Sequence, residues 1–269
     1  MPIKLVAIDM DGTLLNEHSR ISPKVCATIK QAKEKGVKIV LCTGRPLPGV
    51  SEHLATLGLT DSEDYVVTYN GGLVLNTHTQ EVIACHTLSH DDYLQIDTLA
   101  RQLKVHLHTT TEDTIYTSNR DISPYTVHEA YLVNMPIKYR TPEEITEELK
   151  IIKMMMIDEP EILSQAIKQI PPAFHENYTM VQSAPYFYEF LNKQTNKGEA
   201  LKELAEYLGI KQAEVMAIGD AENDLAMIRY AGLGIAMGNG TPDVKTAADQ
   251  IVATNQEDGV SEAIEKFVF

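Results

Sequence analysis

Asp9 and Asp11 stand two residues apart at the end of an apolar run, Ile3 to Ile8, in which Lys4 is the only charge, and Gly12 and Thr13 follow at once. Three other stretches carry matching residues. Thr43-Gly44-Arg45 closes a second apolar run, Gly219-Asp220-Ala221-Glu222-Asn223-Asp224 closes a third, and Lys197 opens the helical segment ahead of that third run. Side chains two apart at a strand end point the same way where extended geometry persists, so Asp9 and Asp11 would crowd. Carboxylates sharing one crevice repel unless a cation sits among them. A hard dication meets that need, and Mg2+ fits because it takes one or two carboxylates, waters and substrate phosphate. Thr43, the backbone N–H groups of a helix start and Lys197 are, by the same logic, a cradle for phosphate.

Taken singly, each signal has an ordinary reading. Lys197 is a solvated lysine, Thr43-Gly44 a helix-start turn, and Asp9-x-Asp11-Gly12 half of a calcium loop. An EF-hand, however, places its glycine later and follows a helix rather than a strand. The force of the pattern lies in where the four stretches fall.

That placement follows from the surrounding elements. From Ile3 to Leu59 the chain alternates strand and helix, with Ser22 as N-cap, Pro23 at the first helical position and Gly36 as the stop of the first helix. Near-continuous apolar strands between helices imply a parallel sheet covered on both faces. The same grammar returns late, in the segments KGEALKELAEYLG, EVMAIGD, ENDLAMIRYAG and LGIAMG. Open parallel sheets bind ligands beyond the carboxyl ends of their strands, where three of the stretches lie, with Lys197 at the start of a helix. The middle reads differently. LVLNTHTQEVIA forms a hairpin, Ser89 to Asp92 a capping box, and VHLHTTTEDTIYTSN two antiparallel strands across Glu112-Asp113. These features predict a discontinuous α/β core, residues 1–85 and 190–269, with an inserted α+β domain, residues 86–189.

Composition narrows the partners. A net charge of −15 without a basic run speaks against nucleic acid. No apolar stretch approaches the ~20 residues of a membrane helix. Three scattered cysteines without metal spacing suggest reduced thiols and a cytoplasmic setting. A small phosphorylated molecule remains compatible with an acidic protein, because screening mutes the global field beyond about 8–10 Å.

DMDGTL, the TGR after the second strand, the lone Lys197 and GDAEND resemble the four motifs of the haloacid dehalogenase (HAD) superfamily, and the insertion resembles the C2-type cap of its Cof-type phosphatases. Only about thirty residues separate Asp11 from Thr43, which leaves no room for a cap in that earlier slot. The resemblance implies a HAD-like Rossmannoid core and a Mg2+-dependent phosphatase of small phosphorylated sugars. It makes Asp9 the nucleophile that becomes an aspartyl-phosphate, and Asp11 the general acid and base. The Asp9 side chain, the Asp11 carbonyl and Asp220 would hold the ion. The Met10 backbone N–H, Thr43, Gly44, Lys197 and Asn223 would hold the phosphoryl group, with Asp224 orienting Lys197 or water. Arg45, Asn70 and Gly71 are candidate substrate contacts. Two other readings compete: a phosphomutase, and a phosphosugar-binding sensor with vestigial turnover. His106-x-His108 lacks acidic or cysteine companions for a metal, and Met154–Met156 reads as packing. Nothing in the chain signals an oligomeric state.

Overall fold

The computed structural model describes residues 2–269. In chain order the strands of the first stretch are β1 (Leu5–Asp9), β2 (Lys38–Cys42), β3 (Tyr65–Thr68), β4 (Leu73–Asn76) and β5 (Val82–Cys85). Helices α1 (Pro23–Glu34) and α2 (Ser51–Leu57) lie among them. The middle holds α3 (His90–Leu103), β6 (His106–Thr110), β7 (Ile115–Thr117), α4 (Pro124–Val133), β8 (Ile137–Tyr139) and β9 (Lys153–Ile157). It continues with α5 (Pro160–Ile167), α6 (Pro172–Asn177), β10 (Tyr178–Ala184) and β11 (Phe187–Asn192). The last stretch holds α7 (Lys197–Tyr207), β12 (Val215–Gly219), α8 (Leu225–Tyr230), β13 (Leu233–Ala236), α9 (Pro242–Ala247), β14 (Gln250–Ile251) and α10 (Gly259–Phe267).

Two compact units result. One gathers the chain up to Arg45 with Val50–Cys85 and Asn196–Phe269; the other gathers Pro46–Gly49 with His86–Thr195. The return crossing falls later than residue 190, because β11 is still pairing with β9 and β10 up to Asn192.

The first unit is built on an eight-stranded sheet ordered β14-β13-β12-β1-β2-β3-β4-β5. Its strands from β14 to β3 are parallel, and the β4–β5 hairpin adds antiparallel at the β3 edge. The period of two sends Leu5 and Ala7 into a cluster with Ala200, Leu201 and Leu204 of α7, while Val6 and Ile8 on the opposite face are equally buried. A strand buried on both faces needs the unbroken apolar run that β1 shows. Local signals hold as well. Ser22 accepts from the Val25 N–H at the start of α1, and Gly36 takes the left-handed conformation (φ +84°) that ends it.

The second unit is a six-stranded sheet ordered β10-β11-β9-β6-β7-β8. Met154 and Met156 pack with Leu107, Phe190 and the α3 residues Tyr93, Ile96 and Leu99 on one face. The opposite face carries a buried polar set. Lys153 lies 3.3 Å from Glu129 of α4 and 3.4 Å from Glu189 of β11. Beside it, His108 has its pKa pushed down to about 3 by burial and by the Lys153 charge, so it stays a neutral imidazole. His106 is engaged separately, its Nδ1 2.8 Å from Asp158. The two histidines therefore make no joint metal site. Removing Lys153 strands two buried carboxylates, so Lys153→Ala is expected to cost about 3–5 kcal/mol in urea unfolding at neutral pH. An unaltered midpoint would show that the triad adds nothing.

Candidate active site

The centre of the parallel sheet decides which loops meet. β12, β1 and β2 are adjacent and run the same way, so Asp220, Asp9 and Thr43 emerge at one edge although more than two hundred positions separate the first and last in sequence. Lys197 enters from another side, as the first residue of α7. Asn196 caps that helix by accepting from the Gly198 and Glu199 N–H groups. A Cβ on Gly198 would come within 2.5 Å of the Ala226 carbonyl oxygen, so glycine lets the first turn of α7 lie directly on α8.

Lys197 is fully buried, and its ammonium donates to Asp9 Oδ1 at 2.5 Å and to Asp224 Oδ1 at 2.7 Å. The second Asp224 oxygen accepts from the N–H groups of Asp220 and Ala221. Asp224 is thus occupied on both oxygens and acts as an anchor for Lys197 and for the loop that carries Asp220. Thr13 donates its hydroxyl to Asp220 Oδ1 at 2.9 Å. Gly12 (φ +88°) lies so close that a Cβ there would meet Asp220 Oδ2 at 2.4 Å.

Asp9, Asp220 and Asp224 each offer an oxygen within 4.8 Å of the others, the one such group among the described residues. Three carboxylates face one ammonium. Burial raises the Asp9 pKa to about 8; the pull of Lys197 opposes this and is outweighed once the Asp224 and Asp220 charges are added. Burial and the Asp224 charge also raise Asp220, against the Thr13 hydrogen bond. Lys197 is pushed upward despite its burial, because Asp9 and Asp224 favour the ammonium. Asp9 and Asp220 therefore favour a proton or an added cation; with their protons gone, the three carboxylates outnumber the one ammonium and offer hard oxygen donors, a set that suits a Mg2+-type ion. With Asp224 fully hydrogen-bonded, Asp9 and Asp220 are the side chains left to bind it.

Asp11 behaves differently. The chain leaves extended geometry after Asp9, and Met10 accepts from the Thr13 and Leu15 N–H groups in a tight loop. The Asp11 side chain is 59% exposed, and Arg45 forks onto it with Nε and Nη2. The alternation that would place the two acids on one face stops with the strand at Asp9, and the Asp11 carboxylate turns to Arg45. Arg45, a candidate substrate contact, is here the partner of Asp11.

Thr43 is buried, with its hydroxyl accepting from the Arg45 N–H. Asn70, in a left-handed conformation (φ 56°), donates its N–H to the Thr43 carbonyl and accepts at its side chain from Asn223 Nδ2 at 3.1 Å. Gly71 (φ +99°) backs onto the Asn196–Lys197 peptide, where a Cβ would lie 2.3 Å from the Asn196 oxygen. Asn70 and Gly71 thus tie the Thr43, Asn223 and Lys197 segments together. Thr13 was given no role by sequence reasoning, although its place directly after Asp-Gly was the available signal. Met10 is buried, and Gly44 packs on Asn70.

A family model of haloacid dehalogenase-like hydrolases matches residues 6–264. Bacillus subtilis "Putative phosphatase YxeH" is 49% identical over 98% of this chain and 98% of its own. Bacillus subtilis 5-amino-6-(5-phospho-D-ribitylamino)uracil phosphatase YcsE is 34% identical over 99% and 96%. A solved structure described as the HAD subclass IIB sugar phosphatase BT4131 superposes with a TM-score of 0.77 at 28% identity, covering 98% of each chain. The chain belongs to the haloacid dehalogenase-like hydrolases, and with relatives named as phosphatases along its whole length it is a hydrolase of the phosphatase type. No helix among the described residues is long and apolar enough to cross a membrane.

The raised Asp9 pKa sets a pH dependence. Between the unfolded value of 3.8 and the folded value of about 8, the folded chain holds a proton that the unfolded chain has released. The cation-free protein is then most stable from this source below about pH 4 and loses that stability as pH rises towards 8. Melting temperature in EDTA should fall across this window, and added Mg2+ should restore more at the alkaline end. Asp9→Asn should flatten the slope; an equal slope in that variant would place the proton elsewhere.

Proposed function

We propose that this protein is a Mg2+-dependent phosphatase of small phosphorylated sugars that works through an aspartyl-phosphate on Asp9. The observation that carries the reading is the buried Lys197 shared by Asp9 and Asp224 beside Asp220. It leaves one carboxylate poised as nucleophile and an excess of negative charge for a cation. Two relatives support the substrate class. One is described as a sugar phosphatase, the other is named for a phosphorylated ribityl chain, and both descriptions denote a phosphate on a polyhydroxylated carbon skeleton. The ion would be held by the Asp9 and Asp220 side chains and the Asp11 carbonyl, and when bound it would neutralise charge on the phosphoryl oxygens.

In this scheme the Asp9 oxygen that Lys197 does not bond attacks phosphorus, forming an acyl-phosphate as the ester bond to the sugar oxygen breaks. Lys197 orients Asp9, and its third N–H would donate to a phosphoryl oxygen. The Thr43 hydroxyl, the Met10 and Gly44 backbone and the Asn223 amide complete the cradle. Asp11 gives its proton to the departing sugar oxygen and takes one back from the water that hydrolyses the intermediate. Since Arg45 occupies both Asp11 oxygens, that fork opens before the carboxyl exchanges a proton.

Asp9→Asn should abolish release of inorganic phosphate from a sugar-phosphate panel; retained turnover would remove Asp9 as nucleophile. Asp11→Asn should slow sugar phosphates by about 10²–10⁴-fold and p-nitrophenyl phosphate far less, since a phenolate leaves without an acid. Equal losses on both esters would separate Asp11 from leaving-group protonation. Sugar phosphate that isomerises without free phosphate would favour the mutase reading.

A further inference from the structure

The loop after β13, from Met237 to Thr241, holds none of the four motif stretches, yet it is bonded to both acid-bearing loops. Asn239 donates from Nδ2 to the Gly12 carbonyl at 2.8 Å. Its Oδ1 accepts from the Asn255 N–H at 3.0 Å, so both ends of the amide are engaged and its orientation is fixed. Asn255 in turn donates to the Leu15 carbonyl at 2.8 Å. On the other side, the Thr241 N–H donates to the Asp220 carbonyl at 2.9 Å and the Met237 N–H to the Gly219 carbonyl at 3.0 Å. Gly240 presses on the same backbone, where a Cβ would lie 3.3 Å from the Asp220 oxygen.

We infer that Asn239 is a positioning residue for the cation site, holding the Asp11–Gly12–Thr13 segment at a set distance from Asp220. The inference rests on the cation reading proposed above. Gly12 has the widest backbone freedom in its loop, and its left-handed conformation brings it against Asp220. Rotation there would swing the Asp11 carbonyl on one side and the Thr13 hydroxyl, which holds Asp220, on the other. The bond at the Gly12 carbonyl removes that freedom, and it comes from the loop that also fixes the Asp220 backbone. Because Asn239 is itself exposed, its amide adds little to the core. Its contribution is geometric, and outer partners of metal ligands govern affinity in this way.

The test is direct cation binding to the whole chain, Mn2+ followed by the EPR signal of the free ion and Mg2+ by calorimetry. Asn239→Ala should weaken binding about 10–100-fold. Turnover at saturating Mg2+ should stay within about threefold, the split expected of a positioning residue, and the cation-free melting temperature within about 3 °C of wild type. Asn239→Asp settles the sign. It keeps an acceptor for the Asn255 N–H and adds a negative charge, so Coulomb attraction alone would tighten binding. It also loses the donor to Gly12, so we expect weaker binding. Wild-type affinity in Asn239→Ala, tighter binding in Asn239→Asp, or a weakening matched by a fall in cation-free melting temperature would each overturn the inference. A wild-type chain that binds neither ion would overturn the cation reading and this inference together, whereas equal binding by wild type and both variants would remove Asn239 alone.

Discussion

The ammonium of Lys197, enclosed without solvent contact between Asp9 and Asp224, is the interaction on which the rest of the catalytic unit turns. An isolated buried ammonium is costly, and so is an isolated buried carboxylate; each is tolerable here only because the other is within hydrogen-bond distance. Much of the surrounding backbone is arranged to keep that contact. Gly198 lets α7 approach α8, Gly71 lies against the peptide that precedes Lys197, and Asp224 is pinned by two backbone N–H groups. A local rule is broken in return. Three carboxylates share one cation, and burial holds Asp9 and Asp220 in a state that favours protons or an added positive ion. Conflicts of this kind mark functional sites more often than structural ones.

The other unit contains a chemically similar cluster with the opposite outcome. Lys153 faces two glutamates rather than three aspartates, and the neighbouring His108 is kept neutral. Glu129, Glu189 and His108 do not make a close group of three donors, unlike Asp9, Asp220 and Asp224. Burial of a lysine–carboxylate set is therefore not what distinguishes the candidate active site. The convergence of the acids at the carboxyl edge of a parallel sheet is.

Much was readable in the chain itself. The unbroken apolar runs specified two-sided burial, and Ser22, Ser89 and Gly36 marked helix ends where the structure has them. The hairpin over residues 73–85 and the strand pair across Glu112-Asp113 also form as their patterns indicate. Those signals are local, depending on periods of two or 3.6 and on caps within four residues. Asp11 shows where locality fails. Its spacing from Asp9 places the two on one face only while the strand continues, and the strand ends at Asp9. The pairing of Asn70 with Asn223, 153 positions away, had no local signature at all.

The sequence alone determined which residue types were available, that alternating strands and helices would build a parallel core, and that an α+β segment interrupts it. Those properties follow from side-chain volume, polarity and backbone preference, which act over a few residues. Only tertiary structure decided that Lys197 is buried, that Asp224 is spent on hydrogen bonds while Asp220 keeps an oxygen near Gly12, and that Arg45 holds Asp11. These outcomes depend on distances between chain segments far apart in sequence, and such distances exist only once the sheet order brings β12, β1 and β2 side by side.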